Sequence, residues 1–163
     1  MRSHSEKTAA LGVLLAFALI LGYVETLIPF SFGVPGMKLG LANLAVVLTL
    51  YLSGVKEAFW IDILRIVLSG FLFGSMYSLL YSLAGGMLSF AAMAFAKKTG
   101  GFGVCGVSMA GGVFHNIGQL AVAAFVVETK GIFYYLPPLL VSGTVTGMLT
   151  GIISGQTLRR IRR

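Results

Sequence analysis

Asp62 and Arg65 stand three residues apart inside the apolar stretch Val55 to Phe73, and His115, Asn116 and Gln119 fall within one turn of the stretch Val104 to Val127. A guanidinium and an imidazole set among apolar residues suit binding: the first donates charge-assisted hydrogen bonds to the polar group of a ligand, and the second donates or accepts one. At the centre of a membrane helix an ionisable side chain costs at least roughly 2.5–3.5 kcal/mol, so it is kept there for a partner or a task. Asp62, Arg65 and Ser69 share a helix face, and so do Ser108, Gly112, His115 and Gln119, with Asn116 beside them. At about 1.5 Å per residue, Arg65 and His115 both lie roughly 15 Å from the cytoplasmic ends of their stretches, near mid-depth of a ~30 Å hydrocarbon core. Glu25 and Asn43 extend the polar set towards the outer leaflet. The expectation is a cavity open to the outside, in which Arg65 and His115 hold the ligand's polar group, Asn116, Gln119 and Asn43 orient it, and Glu25 lies near the mouth.

Each residue also has a plainer use. Asp62 and Arg65 neutralise one another at i, i+3 as a structural ion pair, and Asn116 or Gln119 serves as interhelical glue worth about 1 kcal/mol. Tyr77, Tyr81, Tyr134 and Tyr135 fall near the outer interface, where an aromatic belt is the ordinary role and stacking on a bound ring the sharper one. Catalysis finds little support. The chain has no Gly-x4-Gly-Lys-Ser/Thr loop, no His-Glu-x-x-His and no acidic cluster to hold magnesium against a diphosphate, so no catalytic residue, metal or cofactor is expected.

The elements that must position these groups are membrane helices. Hydrophobic residues make up 57% of the chain and charged residues 10%, against about 25% in an average soluble domain; the mean hydropathy is +0.94. Six apolar stretches, Ala9–Ile28, Leu39–Leu52, Val55–Phe73, Met76–Ala96, Val104–Val127 and Phe133–Ser154, predict an all-α polytopic membrane protein. They leave a single membrane domain over residues 1–163. The second stretch is short: it is less tilted, continues into the preceding loop, or falls short of a full span. The first is too long for a signal h-region and is expected to stay in the mature protein. Cys105, the single cysteine, reads as a small apolar core residue.

Positive charge sets the orientation. With the N-terminus inside, Arg2, Lys7, Lys56, Lys97, Lys98, Arg159, Arg160, Arg162 and Arg163 gather on the cytoplasmic side, leaving Lys38 and Lys130 outside. Both termini are therefore expected in the cytoplasm. Anionic lipid explains the pI near 9.9, and no nucleic-acid partner is expected.

Ser53-Gly54 and Gly74-Ser75 make turns short enough to force antiparallel neighbours. Pro29 to Lys38, with its prolines and glycines, reads either as a lid over the bundle mouth or as a plain connector. Gly143, Gly147, Gly151 and Gly155 recur every fourth residue, a ridge for an internal or a subunit contact. Gly12/Ala16 and Ala18/Gly22 repeat the small-xxx-small spacing in the first helix.

The segments Pro35-Gly36-Met37-Lys38-Leu39-Gly40-Leu41-Ala42-Asn43, Leu79-Leu80-Tyr81-Ser82-Leu83-Ala84-Gly85-Gly86 and Ala110-Gly111-Gly112-Val113-Phe114-His115-Asn116-Ile117-Gly118-Gln119 resemble the bacterial Gx transporter family, also labelled heptaprenyl diphosphate synthase component I. That family is similar to substrate-binding S components of energy-coupling-factor (ECF) transporters. The resemblance covers nearly the whole chain, and the His-Asn-x-x-Gln segment is its most specific part. It implies a six-helix bundle in the bacterial cytoplasmic membrane that captures a small molecule from outside and works with a membrane coupling subunit and cytoplasmic ATPases. Similar S components dock through small residues of helix one, where this chain carries Gly12, Ala16, Ala18 and Gly22 in place of the usual alanine pair. Prenyl diphosphate synthases use aspartate-rich motifs, whereas Asp62 is the single aspartate here. The alternative role is thus a non-catalytic membrane partner of heptaprenyl diphosphate or isoprenoid-quinone synthesis.

Overall fold

The computed structural model describes residues 4–27, 40–128 and 130–161. They form α1 (His4–Leu27), α2 (Asn43–Leu52), α3 (Val55–Phe73), α4 (Met76–Thr99), α5 (Val104–Val127) and α6 (Leu136–Ile161), with a 3-10 turn over Lys130–Tyr135 before α6. No strand occurs among the described residues. The segment from Pro29 to Lys38 lies outside them, as do Arg2, Arg162 and Arg163.

Polarity is inverted relative to a water-soluble protein. Glu25, Asn43, Asp62, Arg65, His115 and Gln119 are buried, while Val13, Phe71, Phe95 and Phe125 are 69%, 78%, 70% and 84% exposed. Such an apolar exterior around polar groups suits hydrocarbon, where backbone groups must be satisfied within helices. Within α1, α4 and α5, and over Gly131–Ile161, four segments are long and apolar enough to cross a membrane. The chain is a membrane protein.

Two stretches depart from the expected six spans. The helix α3 has spanning length, 19 residues, but carries Lys56, Glu57, Asp62 and Arg65. In contrast, α2 has only 10 residues and reaches about 15 Å, half the hydrocarbon thickness. It starts at Asn43 rather than Leu39 because Gly40 has φ +86°, a conformation that no helix continues through. The Gly40 carbonyl then accepts the Asn43 N–H at 2.9 Å in a tight turn. Every residue from Asn43 to Leu50 is buried, as befits a short helix that is apolar all round.

Other boundaries move for local reasons. The polar residues Ser5 to Thr8 are helical, so α1 begins at His4 rather than Ala9. Likewise α4 continues to Thr99 and α6 to Ile161, since polar residues beyond the apolar window do not break a helix. At its start α6 has Pro137 and Pro138 in the first turn, where a missing N–H costs nothing; Phe133–Tyr135 belong to the 3-10 turn instead.

The most extensive helix contacts are of α5 with α6 and with α4. Glycines make the first possible: a Cβ on Gly112 would lie 2.1 Å from the Gly143 carbonyl oxygen, and one on Gly147 would lie 2.7 Å from Met109 Cα. Gly151 abuts Cys105 in the same way, whereas Gly155 meets nothing within 4 Å. Three glycines of the ridge therefore face α5, and Cys105 sits half-buried in that contact. Ser108 and Thr150 hydroxyls join across it at 2.8 Å.

The small residues of α1 divide between two faces. Ala18 is fully buried and Gly22 packs towards Ser69, but Gly12 has nothing within 4 Å and Ala16 is exposed. At the other end of the bundle the Lys97 ammonium donates to the Leu50 carbonyl and lies 4.8 Å from the Tyr51 ring centre, tying α4 to the C-terminus of α2.

Candidate functional site

Five segments bring polar groups to one point. Glu25 from α1, Gly40 and Ala42 ahead of α2, Arg65 and Ser69 from α3, Ser82 from α4 and His115 from α5 line a common cavity. Its volume is about 10 Å³, space for about one water molecule. Among the described residues, these polar groups surround a small space.

Arg65 is 6% exposed and Asp62 1%. The Arg65 Nε donates to Asp62 Oδ1 at 2.9 Å, and Nη2 lies 2.6 Å from the same oxygen. That second approach is not aligned for a hydrogen bond, and Nη2 has no other hydrogen-bond partner. The pair shares one carboxylate oxygen and leaves a donor at Arg65, a residue that also lines the cavity. On α4, Gly86 gives Asp62 its room: a Cβ there would lie 3.2 Å from Asp62 Oδ2.

Glu25 is 6% exposed, and its Oε1 accepts the Gly40 N–H. This bond joins the outer part of α1 to the turn that starts α2. Gly40 also lies against His115, whose Cδ2 is 3.5 Å from where a Gly40 Cβ would stand. His115 itself is 3% exposed and packs against Gly85 of α4 on its other side, with Cε1 3.1 Å from the position of a Gly85 Cβ. Two glycines, one on each side, thus hold the imidazole against the cavity.

Gln119 follows His115 by one turn on the same face. Its Cγ lies 2.9 Å from the same Gly85 Cβ position, which puts the two side chains next to each other. Gln119 is 0% exposed, and neither atom of its amide has a hydrogen-bond partner.

Gln119 is placed beside cavity-lining His115 without lining the cavity itself, and Asn43 and Asn116 are likewise buried outside it. Asn43 Nδ2 donates to Ser89 Oγ at 3.2 Å and approaches Met93 Sδ at 3.7 Å, while Oδ1 is without a partner. Asn116 turns to α6 and donates to the Leu139 carbonyl at 2.7 Å and to Ser142 Oγ at 3.3 Å. Its Nδ2 thus serves helix packing. Tyr81 lies in an apolar cluster with Leu120, Ala123, Ile132 and Leu139, whereas Tyr77 and Tyr134 are 60% and 87% exposed.

Sequence reasoning missed the stripe on α4. Ser82, Gly85, Gly86 and Ser89 recur at helical spacing and meet the cavity, His115 with Gln119, Asp62 and Asn43 respectively. The signal is four small or polar residues on one face of an apolar helix. No group of three or more histidine, cysteine or acidic side chains with metal-binding geometry occurs among the described residues.

No curated protein and no solved structure matches the chain. A family model does match, over residues 14–157, from the third turn of α1 nearly to the end of α6 and across every residue of the cavity. The chain belongs to the heptaprenyl diphosphate synthase component I family.

Proposed function

We propose that this chain is the substrate-capture subunit of an ECF-like transporter in the bacterial cytoplasmic membrane. It binds a small molecule from the outer side and hands it to a membrane coupling subunit driven by cytoplasmic ATPases. The observation that carries this reading is the convergence of Glu25, Arg65, Ser69, Ser82 and His115 on one buried point. Burying that many polar groups in hydrocarbon costs free energy that a purely structural bundle has no reason to spend. Loading anything larger than water into a cavity of about 10 Å³ requires its walls to part. The bond from Gly40 to Glu25 is the contact that must break if the α1–α2 junction moves. The lipid bilayer is the other partner, with both termini and the Lys97-Lys98 turn on its cytoplasmic face.

The family's name favours a second reading, a non-catalytic membrane subunit of prenyl diphosphate synthesis. Coexpression separates the two. Under the capture reading, uptake requires a coupling subunit and ATPases, and membranes containing the chain neither make nor accelerate formation of long prenyl diphosphates. Prenyl transfer that is lost on deletion and restored by the chain, with no uptake defect, would reverse the choice.

A further inference from the structure

The buried atoms left without hydrogen bonds specify what must meet them. Gln119 presents an N–H donor and a carbonyl acceptor side by side, both unpartnered, so the pattern is the same whichever way the amide is assigned. Arg65, which lines the cavity, adds a donor at Nη2. A buried polar atom left unsatisfied costs about 1–3 kcal/mol, and Gln119 carries two. This arrangement is complementary to an edge that also pairs a donor with an acceptor.

Resting on the capture reading, we infer that the molecule taken up is small, carries no phosphate, and presents an N–H beside a C=O, as in a lactam, a ureide or a primary or secondary amide. Gln119 receives that edge through two hydrogen bonds, and Arg65 Nη2 takes a further oxygen. A diphosphate fits poorly on two counts. It offers acceptors alone, leaving Gln119 Oε1 unsatisfied. It would also bring its negative charge beside the carboxylates of Glu25 and Asp62, where Arg65 is already bonded to Asp62. Coulomb repulsion is strong at such burial.

The test uses the purified full chain in lipid nanodiscs and reads its thermal unfolding with three probes at millimolar concentration: 2-piperidone, N-methyl-2-piperidone and inorganic pyrophosphate. The lactam should raise the unfolding temperature. Its N-methyl form, which lacks the donor, should do so far less, and pyrophosphate should have no effect. Gln119→Met keeps the side-chain length; it should abolish the response to 2-piperidone while raising the unfolding temperature of the probe-free protein, since the unsatisfied amide is gone. That second change reads the orphaned amide with no ligand present. Equal responses to the two lactams, no response to 2-piperidone, a larger response to pyrophosphate, or a lower probe-free unfolding temperature for Gln119→Met would each overturn the inference. A response to 2-piperidone that persists in Gln119→Met but disappears in His115→Ala would also overturn it, while leaving the capture reading standing.

Discussion

The contact between α5 and α6 and the contact between α1 and α3 are built on different principles. The first brings backbone against backbone, with Gly112, Gly143 and Gly147 where any side chain would collide with a main-chain atom. The second is mediated by side chains: Gly22 meets the Ser69 hydroxyl, and Glu25 and Arg65 face a shared cavity. Cover differs in the same sense, since 17% of the α1 span is buried against 44% of the α5 span. Close backbone packing leaves little room for displacement, whereas a lightly covered contact leaves more. Packing makes the α5–α6 pair the fixed wall beside His115 and Gln119, and α1 the looser, lightly covered one.

The largest effect expected is at the ion pair. Arg65→Ala strands the buried Asp62 carboxylate and should cost about 3–5 kcal/mol of stability; Asp62→Asn/Arg65→Gln should recover most of it, as read by denaturant unfolding in detergent. Ligand binding should remain weak in both variants, because the guanidinium is missing from each. Normal affinity in the double variant would reduce Arg65 to a structural partner.

Next comes the fixed wall. Gly112→Ala places a methyl group against the Gly143 carbonyl and should cost towards the upper end of about 1–3 kcal/mol. Gly12→Ala, into open space on α1, should change stability by less than about 0.5 kcal/mol. Comparable losses at the two positions would erase the distinction between the walls. At the turn before α2, Gly40→Ala forces a side chain into φ +86° and should cost about 1–2 kcal/mol. Its unfolding should be accompanied by faster hydrogen exchange around Asn43, the first residue of α2. Smallest is Asn116→Ala, which removes a bond to the Leu139 carbonyl and should cost about 1 kcal/mol without changing ligand retention. Loss of retention there would return Asn116 to the site.

The helices were legible because hydropathy and helical period report directly on burial in lipid. Length of α2 was not, since apolar residues continue back through Leu39 while a single backbone angle at Gly40 stops the helix. Arg65, His115 and Glu25 stood out as ionisable groups in apolar stretches, and all three line the cavity. Asn116 could have been separated from them. It lies about 100° around the helix from His115, on the side where α6 packs, whereas Gln119 lies one turn away on the His115 face. The cavity's small volume and the glycine walls at Gly40 and Gly85 depend on how distant segments meet, which no local pattern encodes. The face that α1 leaves open was equally hidden, because Gly12/Ala16 and Ala18/Gly22 have the same spacing and opposite surroundings.

Native mass spectrometry of the wild-type chain beside His115→Ala, each released from nanodiscs after purification from the same cells, tests the capture site most directly. A small molecule retained by the wild type and absent from a folded His115→Ala variant, with unfolding temperatures within a few degrees of each other, is the predicted result. The same adduct on both proteins, or a wild type that carries no small molecule but copurifies with a prenyl-transferring enzyme, would contradict it.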